Sequence, residues 1–408
     1  MSDEHDKASA AACIGDAYAP DFSLVVDALE RHTRATGQAP LSIGGWEAED
    51  VEIGPPKPLI AALEAIPTRL RGYTYLRDLR EPKERAAALF RAGLRLGGAA
   101  LTAHHVAILP NSTQALLLTL AALRDQGVEQ IVIAAPVYFS AVEVCRRLGL
   151  AVSVIPAADF VTGALDLDAL KHAMTRPRSA LLLTNPAYSI GVEYEWSMLH
   201  ALFATLPSDR PVILDETRMG LHWRREEPWY DGDFPQQAIV IRSPSKIFFV
   251  PGAKTSLIFA APAFVRRVET LSESLLGSAS GALETTALAY LRFWRKWRDE
   301  ARRGEDGPLL SWRRGVIARL QTNLALARPA LDRHGFQVAP VKSGPYALVA
   351  RRSHDGDDLD CVRLAREQGT LVMSARYFLH EHAGWMGLRL NLCVPGAWLS
   401  SALDRIAR

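Results

Sequence analysis

The sequence lacks the features that mark membrane, secreted or disulfide-linked proteins. No apolar run reaches the roughly 18–20 residues that span a bilayer. The first residues, MSDEHDKASAAAC, lack the positively charged segment with which a secretory signal peptide begins. Only four cysteines occur in 408 residues, at positions 13, 145, 361 and 393. They form no C-x-x-C pair. We therefore expect a soluble, cytoplasmic protein whose thiols are reduced.

An excess of charge of either sign is missing as well. The chain has 47 Lys and Arg residues against 45 Asp and Glu, which gives a net charge of +2. This balance argues against a nucleic-acid-binding protein, which needs a concentrated basic surface. Hydrophobic residues make up 49% of the chain, which is ordinary for a globular protein and too high for a disordered one. The length predicts more than one domain.

Motifs of metal, nucleotide and serine-nucleophile enzymes are also absent. The close histidine pairs are His104–His105 and His380/His382, whose spacing does not put two ligands on one helix face. The sequence has no H-E-x-x-H, no Walker A motif and no G-x-G-x-x-G after a predicted strand. The segment 277–281 has the glycines of a nucleophile elbow, but its central residue is Ala279. We therefore expect no metal site.

What the sequence does contain is a series of short apolar runs separated by helical segments. The runs lie at 106–109, 130–135, 151–155, 180–184, 211–214, 238–241 and 256–260. Apolar residues recur every three to four positions in 113–124, 141–147, 167–174 and 195–206. Continuous apolar strands that alternate with helices predict an α/β fold with a central, mainly parallel sheet covered on both faces.

The flanking regions predict a second, smaller α+β domain. A helix is expected from about Asp21, and helical periodicity recurs in 81–98 and in the charged segment 290–303, whose tryptophans should pack inward. A long helix, a strand pair around 336–350, another helix and a strand at 388–392 are predicted after residue 311. We divide the chain into a flexible N-terminus (1–20), a segment that packs with the small domain (21–65), a large domain (66–305) and a small domain (306–408).

Chemically useful side chains follow the predicted strands. They are Tyr138, Asn185, Asp215 and Lys246 after four of the runs, and Ser112 and Thr113 at the start of a helix after another. The carboxyl ends of parallel strands meet at one edge of a sheet, so we expect these side chains to converge. A helix N-terminus with hydroxyls binds phosphate, and a lysine forms imines with carbonyl cofactors. A carboxylate for a pyridine nitrogen and an aromatic ring to stack on it complete the requirements of pyridoxal 5′-phosphate (PLP).

The sequence resembles the fold-type I PLP-dependent enzymes, in particular the class I/II aminotransferases. The most specific motif is Ser243-x-Ser245-Lys246 followed by Pro251-Gly252-x-Lys254, which is similar to the family's S-x-S-K…P-G-x-R signature. Asp215 lies 31 residues before Lys246, within the family's usual range. The resemblance extends from about residue 40 to the end of the chain. It implies a large PLP-binding domain, a smaller α+β domain and a homodimer with shared active sites.

The resemblance also implies a role for each residue that matches the cofactor site. Lys246 would form the internal aldimine with PLP and shuttle the α-proton, and Asp215 would pair with the pyridinium nitrogen. Tyr138 would stack on the ring. The residues implied for the phosphate are Ser112, Thr113, Ser243 and Lys254, together with Tyr75, or its competitor Tyr73, from the neighbouring subunit.

Substrate residues follow from the same resemblance. Arg389 matches the arginine that binds the substrate α-carboxylate with its planar fork. Gly44, Gly45 and Trp46 are similar to a loop that lines the substrate pocket in relatives. A tryptophan at this place fits too many side chains to select one substrate.

Three positions depart from the family pattern. The phosphate-binding arginine is Lys254 here, which keeps the charge but loses the bidentate geometry. Tyr188 stands where the asparagine that bonds the ring hydroxyl normally lies, so either Asn185 or Tyr188 supplies that bond; we favour Asn185. Arg218 replaces a tyrosine. It has three alternative roles: to tune the internal aldimine, to bind a second acidic group of the substrate, or to cap the strand end.

The predicted function is PLP-dependent transformation of an amino acid, with transfer of its amino group to a 2-oxo acid as the first hypothesis. The alternative is a reaction without amino transfer: β- or γ-elimination or replacement, decarboxylation, cyclisation or oxidation. A non-catalytic ligand sensor would need a basic DNA-binding domain before the fold, and the first 40 residues are partly acidic. A catalytically inactive scaffold is disfavoured because Lys246 and Asp215 are both present.

Overall fold

Helices and strands alternate along most of the chain. The structure, a computed structural model, describes residues 22–45, 48–65, 72–159, 162–229, 232–304, 306–353, 361–379 and 384–406. The helices in these ranges are α1 (Phe22–Thr36), α2 (Lys57–Glu64), α3 (Arg80–Phe90), α4 (Ser112–Asp125), α5 (Ser140–Arg147), α6 (Leu167–Ala173), α7 (Trp196–Thr205), α8 (Pro262–Leu276), α9 (Leu283–Arg303), α10 (Pro308–Arg333), α11 (Cys361–Gln368) and α12 (Gly396–Ile406).

The strands fall into four sheets. In chain order they are β1 (Leu41–Ser42), β2 (Leu94–Leu96), β3 (Ala99–Ala100), β4 (Val106–Leu109), β5 (Gln130–Ala135), β6 (Ala151–Pro156), β7 (Ser179–Thr184), β8 (Val212–Glu216), β9 (Gly232–Phe234), β10 (Ala238–Arg242), β11 (Ser256–Phe259), β12 (Gln337–Val338), β13 (Tyr346–Arg352), β14 (Thr370–Leu371), β15 (Met373–Ser374) and β16 (Trp385–Asn391).

The largest sheet contains all seven strands predicted from the apolar runs. Its order is β4-β11-β10-β8-β7-β5-β6, and its pairings are parallel except those of β11, which runs antiparallel to both neighbours. Every residue of β5, β7 and β10 is buried, whereas the edge strand β6 is partly exposed. Continuous apolar strands suit a sheet covered on both faces, so the predicted α/β class is confirmed.

A four-stranded antiparallel sheet, β12-β13-β16-β15, lies in the C-terminal part of the chain. The N-terminal segment returns to this part: β1 pairs in parallel with β14, and α1 packs on α11. The carbonyl of Ile43 also accepts a hydrogen bond from the backbone N–H of Asn391. These contacts are consistent with the predicted N-terminal segment, and we keep the limits 66–305 and 306–408 as a proposal for two domains.

Two segments differ from the sequence prediction. The helical periodicity of 81–98 predicts one helix, but α3 ends at Phe90 and Leu94–Leu96 form a strand beside β9. Pairing with a strand far away in the sequence stabilises a strand here, although the local periodicity favours a helix. Helix α12, after the last predicted strand, is an element that the sequence reading missed.

Helix α9 carries the Trp-rich segment, and its tryptophans pack inward as predicted. Trp294 and Trp297 are fully buried, while Arg292 and Arg295 are exposed. Trp294 meets the ring of Phe90 edge-on, with 5.5 Å between ring centres. The charged face is therefore the solvated side of an amphipathic helix. No helix of the described chain combines the length and apolar character needed to cross a bilayer.

The loop between β1 and α2 is anchored over the sheet ends by Asp50. Its carboxylate accepts hydrogen bonds from Arg319 (2.7 Å) and Asn323 (2.8 Å), both on α10. Burial alone would raise the pKa of Asp50, but these hydrogen bonds outweigh it and hold the pKa below its ordinary value. The backbone N–H groups of Glu49 and Asp50 also donate to the carbonyl of Cys393. This loop forms one wall of the site described next.

Candidate active site at the carboxyl ends of the strands

Seven of the predicted residues line one cavity of about 300 Å³. These are Ser112, Thr113, Tyr138, Tyr188, Ser243, Lys246 and Lys254. They arrive from the ends of β4, β5, β7 and β10 and from the loop before β11. The convergence that we expected from parallel strands therefore occurs at one edge of the sheet.

The amine of Lys246 lies inside this cavity beside an aromatic ring. Its Nζ is 5.7 Å from the centre of the Tyr138 ring. Burial, and next the nearby charge of Arg218, lower the pKa of the amine to about 8, although the carboxylate of Asp215 acts in the opposite direction. More of the amine is then neutral near pH 7.5 than in an ordinary lysine, which is almost entirely protonated there. Lys246 is therefore suited to attack a carbonyl carbon.

Hydroxyls and a helix N-terminus form the other end of the cavity. Helix α4 begins at Ser112, and Asn111 caps it by accepting a hydrogen bond from the N–H of Gln114 (2.8 Å). The Ser243 hydroxyl donates to the carbonyl of Thr255 (2.7 Å) and lies 3.2 Å from the hydroxyl of Ser245. With the exposed ammonium of Lys254 nearby, this end has the donors and the positive potential that a phosphate group requires.

Asp215 lies at the end of β8, in the middle of the sheet. Its backbone is paired with both neighbouring strands, opposite Thr184 and Ile241. Its carboxylate accepts a hydrogen bond from the N–H of Thr217 (3.0 Å), and its charge acts on the amine of Lys246. The strand thus holds this carboxylate close to the lysine.

The two candidates for the ring hydroxyl differ sharply in their surroundings. Asn185 is fully buried, and its amide makes two hydrogen bonds with the backbone of Tyr194, accepting from the N–H (2.9 Å) and donating to the carbonyl (3.1 Å). Tyr188 instead lines the cavity, with its ring centre 5.6 Å from that of Tyr138. Burial raises the pKa of Tyr188, so its hydroxyl keeps its proton.

A second cavity, of about 410 Å³, adjoins the first at Lys246. Its walls are mostly apolar and include Ile53, Phe249 and Tyr346, while the guanidinium of Arg218 supplies a charge. The guanidinium of Arg218 packs against the rings of Tyr346 and Tyr188. Its guanidinium carbon lies 4.5 Å from the ring centre of Tyr346 and 5.1 Å from that of Tyr188. Arg218 is thus a buried group of the site.

Arg389 is buried behind the second cavity, on β16. It donates hydrogen bonds to the carbonyls of Gly44 and Gly45 and to the hydroxyl of Ser189 (3.3 Å). Its guanidinium carbon lies 4.8 Å from the ring centre of Tyr346, and burial lowers its pKa to about 10. Gly44 is required here, because a Cβ at this position would overlap the backbone of residues 372–373. Trp46, predicted beside these glycines, lies outside the described residues.

Tyr75 is not brought to these cavities by its own chain. Its ring lies 6.2 Å from that of the largely exposed Tyr73 and 5.4 Å from the guanidinium carbon of Arg77. The neighbouring backbone of Thr74 forms a bridge with Ala279. The role that the resemblance implies for Tyr75, at the phosphate of another subunit, stays a prediction.

Sequence reasoning missed Tyr346 and gave Ser245 and Asn111 no role. Ser245 and Asn111 line the first cavity, and both stand beside residues that were selected. Tyr346 lines the second cavity and lies against both Arg218 and Arg389. In the sequence, Tyr346 is marked only by its position after Gly344-Pro345, at the start of a predicted strand. This pattern is too common to identify a functional site.

The set of donors in the first cavity fits PLP. A lysine amine with a lowered pKa suits the aldehyde, the aromatic side chain of Tyr138 suits the pyridine ring, and the hydroxyl-rich helix N-terminus suits the phosphate. Within the described parts of the chain, no group of three or more His, Cys, Asp or Glu residues is arranged to hold a metal ion.

Comparisons with known proteins identify the family. A sequence model of the family described as "Aminotransferase class I and II" matches residues 49–406. The histidinol-phosphate aminotransferase of Erythrobacter litoralis (strain HTCC2594) is 26% identical over 298 residues, which is 72% of each chain.

Solved structures resemble the whole fold. The aspartate aminotransferase of Thermus thermophilus, solved with maleate, superposes with a TM-score of 0.73 over 95% of both chains at 20% identity. The YbdL protein of Escherichia coli, for which a methionine aminotransferase function is described, superposes with a TM-score of 0.72 at 16% identity, over 97% of this chain and 98% of the other. At such identities these likenesses establish the fold alone.

Proposed function

Because the chain belongs to the class I and II aminotransferase family, we propose that it binds PLP and transfers the amino group of an amino acid to a 2-oxo acid. The observation that carries the proposal is the amine of Lys246. It lies in a cavity that also contains a helix N-terminus suited to bind a phosphate group. The pKa of the amine is lowered to about 8. The relatives named above act on different substrates, so we propose no particular amino acid.

We propose that Lys246 and Asp215 are the catalytic pair. When bound, PLP supplies an electron sink for the Cα of an amino acid. Lys246 would hold the aldehyde of the cofactor and would be the base that moves the proton at the substrate Cα. Asp215, fixed at the end of β8, keeps the pyridine nitrogen protonated, and Tyr138 supports one face of the ring.

The proposed phosphate site is the hydroxyl-rich end of the first cavity. The N–H groups at the start of α4 and the hydroxyls of Ser112 and Thr113 would donate hydrogen bonds there. The Ser243 hydroxyl would donate as well if it turned away from the carbonyl of Thr255. Lys254 adds a positive charge without the bidentate fork of an arginine. We propose that Tyr75 of a second copy of the chain completes this site in a homodimer.

The proposed substrate site is the second cavity with Arg389 behind it. Arg389 binds the α-carboxylate, and the space of about 410 Å³ beside Lys246 receives the side chain. Gly45 contacts Arg389 at this site, and Trp46 remains a proposed substrate residue. The carbonyls of Gly44 and Gly45 hold the Arg389 guanidinium in place before substrate enters.

Reductive trapping tests the proposal. Purified protein is incubated with PLP, reduced with borohydride and digested, and the peptides are mapped by mass spectrometry. We expect one pyridoxyl group on Lys246 and none in the Lys246→Ala variant, while Lys342→Ala, which removes a lysine outside both cavities, should label like the wild type. A wild-type chain that carries no adduct at Lys246 in excess PLP would contradict the cofactor assignment.

A substrate panel then separates amino transfer from the alternative reactions. The holoenzyme is mixed with single amino acids, and the cofactor spectrum is followed together with the products. Conversion of the cofactor to its amine form, reversed by a 2-oxo acid, supports amino transfer. Release of ammonia or carbon dioxide without that conversion would instead support elimination, decarboxylation or oxidation.

A further inference from the structure

The two unusual residues Tyr188 and Arg218 lie in contact although they are thirty positions apart. They follow the neighbouring parallel strands β7 and β8, where Thr184 is paired with Asp215. The two loops leave the sheet side by side, so their side chains meet. The guanidinium carbon of Arg218 lies 5.1 Å from the centre of the Tyr188 ring. They form one unit, which we call the Tyr188–Arg218 pair.

The pair faces both cavities, with one residue in each. Tyr188 lines the first cavity together with Tyr138 and Lys246. Arg218 lines the second cavity, which has Lys246 and Pro251 in common with the first. The same guanidinium carbon lies 4.5 Å from the ring centre of Tyr346, so Arg218 contacts two tyrosine rings. A buried guanidinium packed against a ring in this way helps to fix the orientation of that ring and of its hydroxyl.

The chemistry of PLP places a polar atom beside this hydroxyl. The phenolic oxygen of pyridoxal is attached to the ring carbon next to the one that carries the aldehyde. With the aldehyde held by Lys246, that oxygen would be close to the lysine nitrogen. It is rich in electrons and accepts hydrogen bonds. A tyrosine hydroxyl that keeps its proton can donate to such an acceptor.

Asn185, the other candidate for this hydrogen bond, already bonds the backbone of Tyr194. Asn185 accepts from the N–H of Tyr194 and donates to its carbonyl, at 2.9 and 3.1 Å. To reach a ligand, its side chain would have to break hydrogen bonds in a fully buried environment, which costs free energy for each group left unsatisfied. Tyr188, by contrast, already lines the cavity.

We propose that Tyr188 donates a hydrogen bond to the phenolic oxygen of the bound cofactor, and that Arg218 is the positioning residue that orients Tyr188. The inference rests on the proposed function, because it requires PLP on Lys246. The hydrogen bond draws electron density from the phenolic oxygen, and this oxygen then holds the proton of the lysine nitrogen less strongly. The pair thus lowers the pH at which the lysine-bound cofactor loses that proton.

The experiment measures two properties of the resting protein: the pH midpoint of the cofactor's visible absorption change, and the Kd of PLP for the apo-protein. The variants are Tyr188→Phe, Arg218→Gln and the double variant, each checked for unchanged thermal unfolding. Tyr188→Phe should raise the pH midpoint by about one unit and weaken PLP binding roughly tenfold. Arg218→Gln should shift the midpoint in the same direction.

The double variant identifies the positioning role. If Arg218 acts through Tyr188, the shift caused by Arg218→Gln should fall to less than about half when Tyr188 is already phenylalanine. Arg218→Lys keeps the charge but not the planar fork, so it should restore only part of the wild-type midpoint. Equal shifts by Arg218→Gln in both backgrounds would show that the arginine acts independently, and would overturn the positioning role.

The control is Tyr194→Phe, which removes the hydroxyl of another buried tyrosine and leaves Asn185 its backbone partners. It should change neither the midpoint nor the Kd. If Tyr188→Phe also leaves both unchanged while the wild type binds PLP, the inference is wrong and the role returns to Asn185. A wild type that takes up no PLP would contradict the proposed function instead, so the two failures are distinguishable.

Discussion

At the scale of single residues, the site is a cluster of buried cations around tyrosine rings. Arg218 and Arg389 lie 4.5 and 4.8 Å from the ring centre of Tyr346. Ring faces offset part of the cost of burying a guanidinium. Burial lowers the pKa of Arg389 to about 10 and that of Lys246 to about 8. The cluster creates a positive potential that suits a cofactor with a phosphate and a substrate with a carboxylate.

The charge of Arg218 predicts a pH effect on Lys246. A nearby cation disfavours a second cation, so Arg218→Gln should raise the pKa of the lysine amine by about one unit. Only the neutral amine captures an aldehyde. The rate of PLP capture by the apo-protein should therefore rise through about pH 8 in the wild type and at higher pH in the variant. Stopped-flow absorbance measures this rate.

The matched control for this prediction is Arg224→Gln, which removes one exposed positive charge a few residues further along. Its capture rate should follow the wild-type pH profile. An unchanged profile in Arg218→Gln would mean that Arg218 does not act on the amine.

We expect that removal of the Arg389 side chain weakens recognition of the substrate carboxylate. Removing the guanidinium in Arg389→Ala should raise the activation free energy with amino acid substrates by ~2–4 kcal/mol, because the α-carboxylate loses its buried partner. The measurement is kcat/KM for an amino acid and for its amide. The wild type should prefer the acid strongly, and the variant should not. A variant that keeps the preference would exclude Arg389 as the carboxylate site.

At the scale of elements, the site depends on how loops leave neighbouring strands. The loop after β7 crosses to the C-terminal sheet at Gly191, whose carbonyl accepts hydrogen bonds from the N–H groups of Lys342 and Ser343. Gly191 has a φ of +74°, and a Cβ there would overlap the carbonyl oxygen of Tyr346. Tyr188 and Tyr346, which both contact Arg218, are thus held in register by one glycine.

Gly191→Ala should therefore destabilise the fold and loosen the site. A left-handed backbone costs a side-chain-bearing residue about 1–3 kcal/mol, and the overlap with Tyr346 adds to this. Urea unfolding should show a loss of about 2 kcal/mol or more. Gly315→Ala is the control: it lies exposed in α10 with open space around an added Cβ, and it should stabilise by about 0.5–1 kcal/mol. Equal stability of both variants would contradict the role of Gly191.

At the scale of the whole molecule, the site lies where three parts of the chain meet. The seven-stranded sheet supplies Lys246 and Asp215, the C-terminal sheet supplies Arg389, and the N-terminal segment covers it through the loop anchored by Asp50. The N-terminal segment must therefore dock on the C-terminal part before the proposed carboxylate site is complete. Tyr75 adds the fourth contribution that we propose, from a second subunit.

Shared active sites predict complementation between inactive variants. Neither Lys246→Ala nor Tyr75→Ala should have full activity alone at limiting PLP. In a mixed dimer, however, one site combines an intact Lys246 from one subunit with an intact Tyr75 from the other. Because half of the dimers in an equal mixture are mixed, activity should recover to about a quarter of the wild-type value.

The control mixture combines Lys246→Ala with Asp215→Ala. Both residues belong to the same subunit's contribution, so neither site of a mixed dimer is intact and no activity should return. Recovery in both mixtures, or in neither, would contradict the proposed role of Tyr75. Analytical ultracentrifugation of each mixture checks that dimers form.

Much of the large sheet could be predicted because each of its strands is marked by a pattern within a short stretch of sequence. Each of its seven strands is a short apolar run, and burial on both faces requires that pattern whatever the partners are. Leu94–Leu96 could not be predicted in this way. They lie in a helical periodicity, and their strand exists only because β9, more than 130 residues later, pairs with them.

The same distinction holds at the site. The sequence alone determined the order of the strands along the chain, the lysine and aspartate at their ends, and the hydroxyls before α4, since each belongs to a contiguous motif. The tertiary structure decided that Asn185 bonds Tyr194, that Tyr188 and Arg218 meet, and that Tyr346 lies between two arginines. These contacts join residues from different loops, and hydrogen bonding and burial select among them only after the strands have paired.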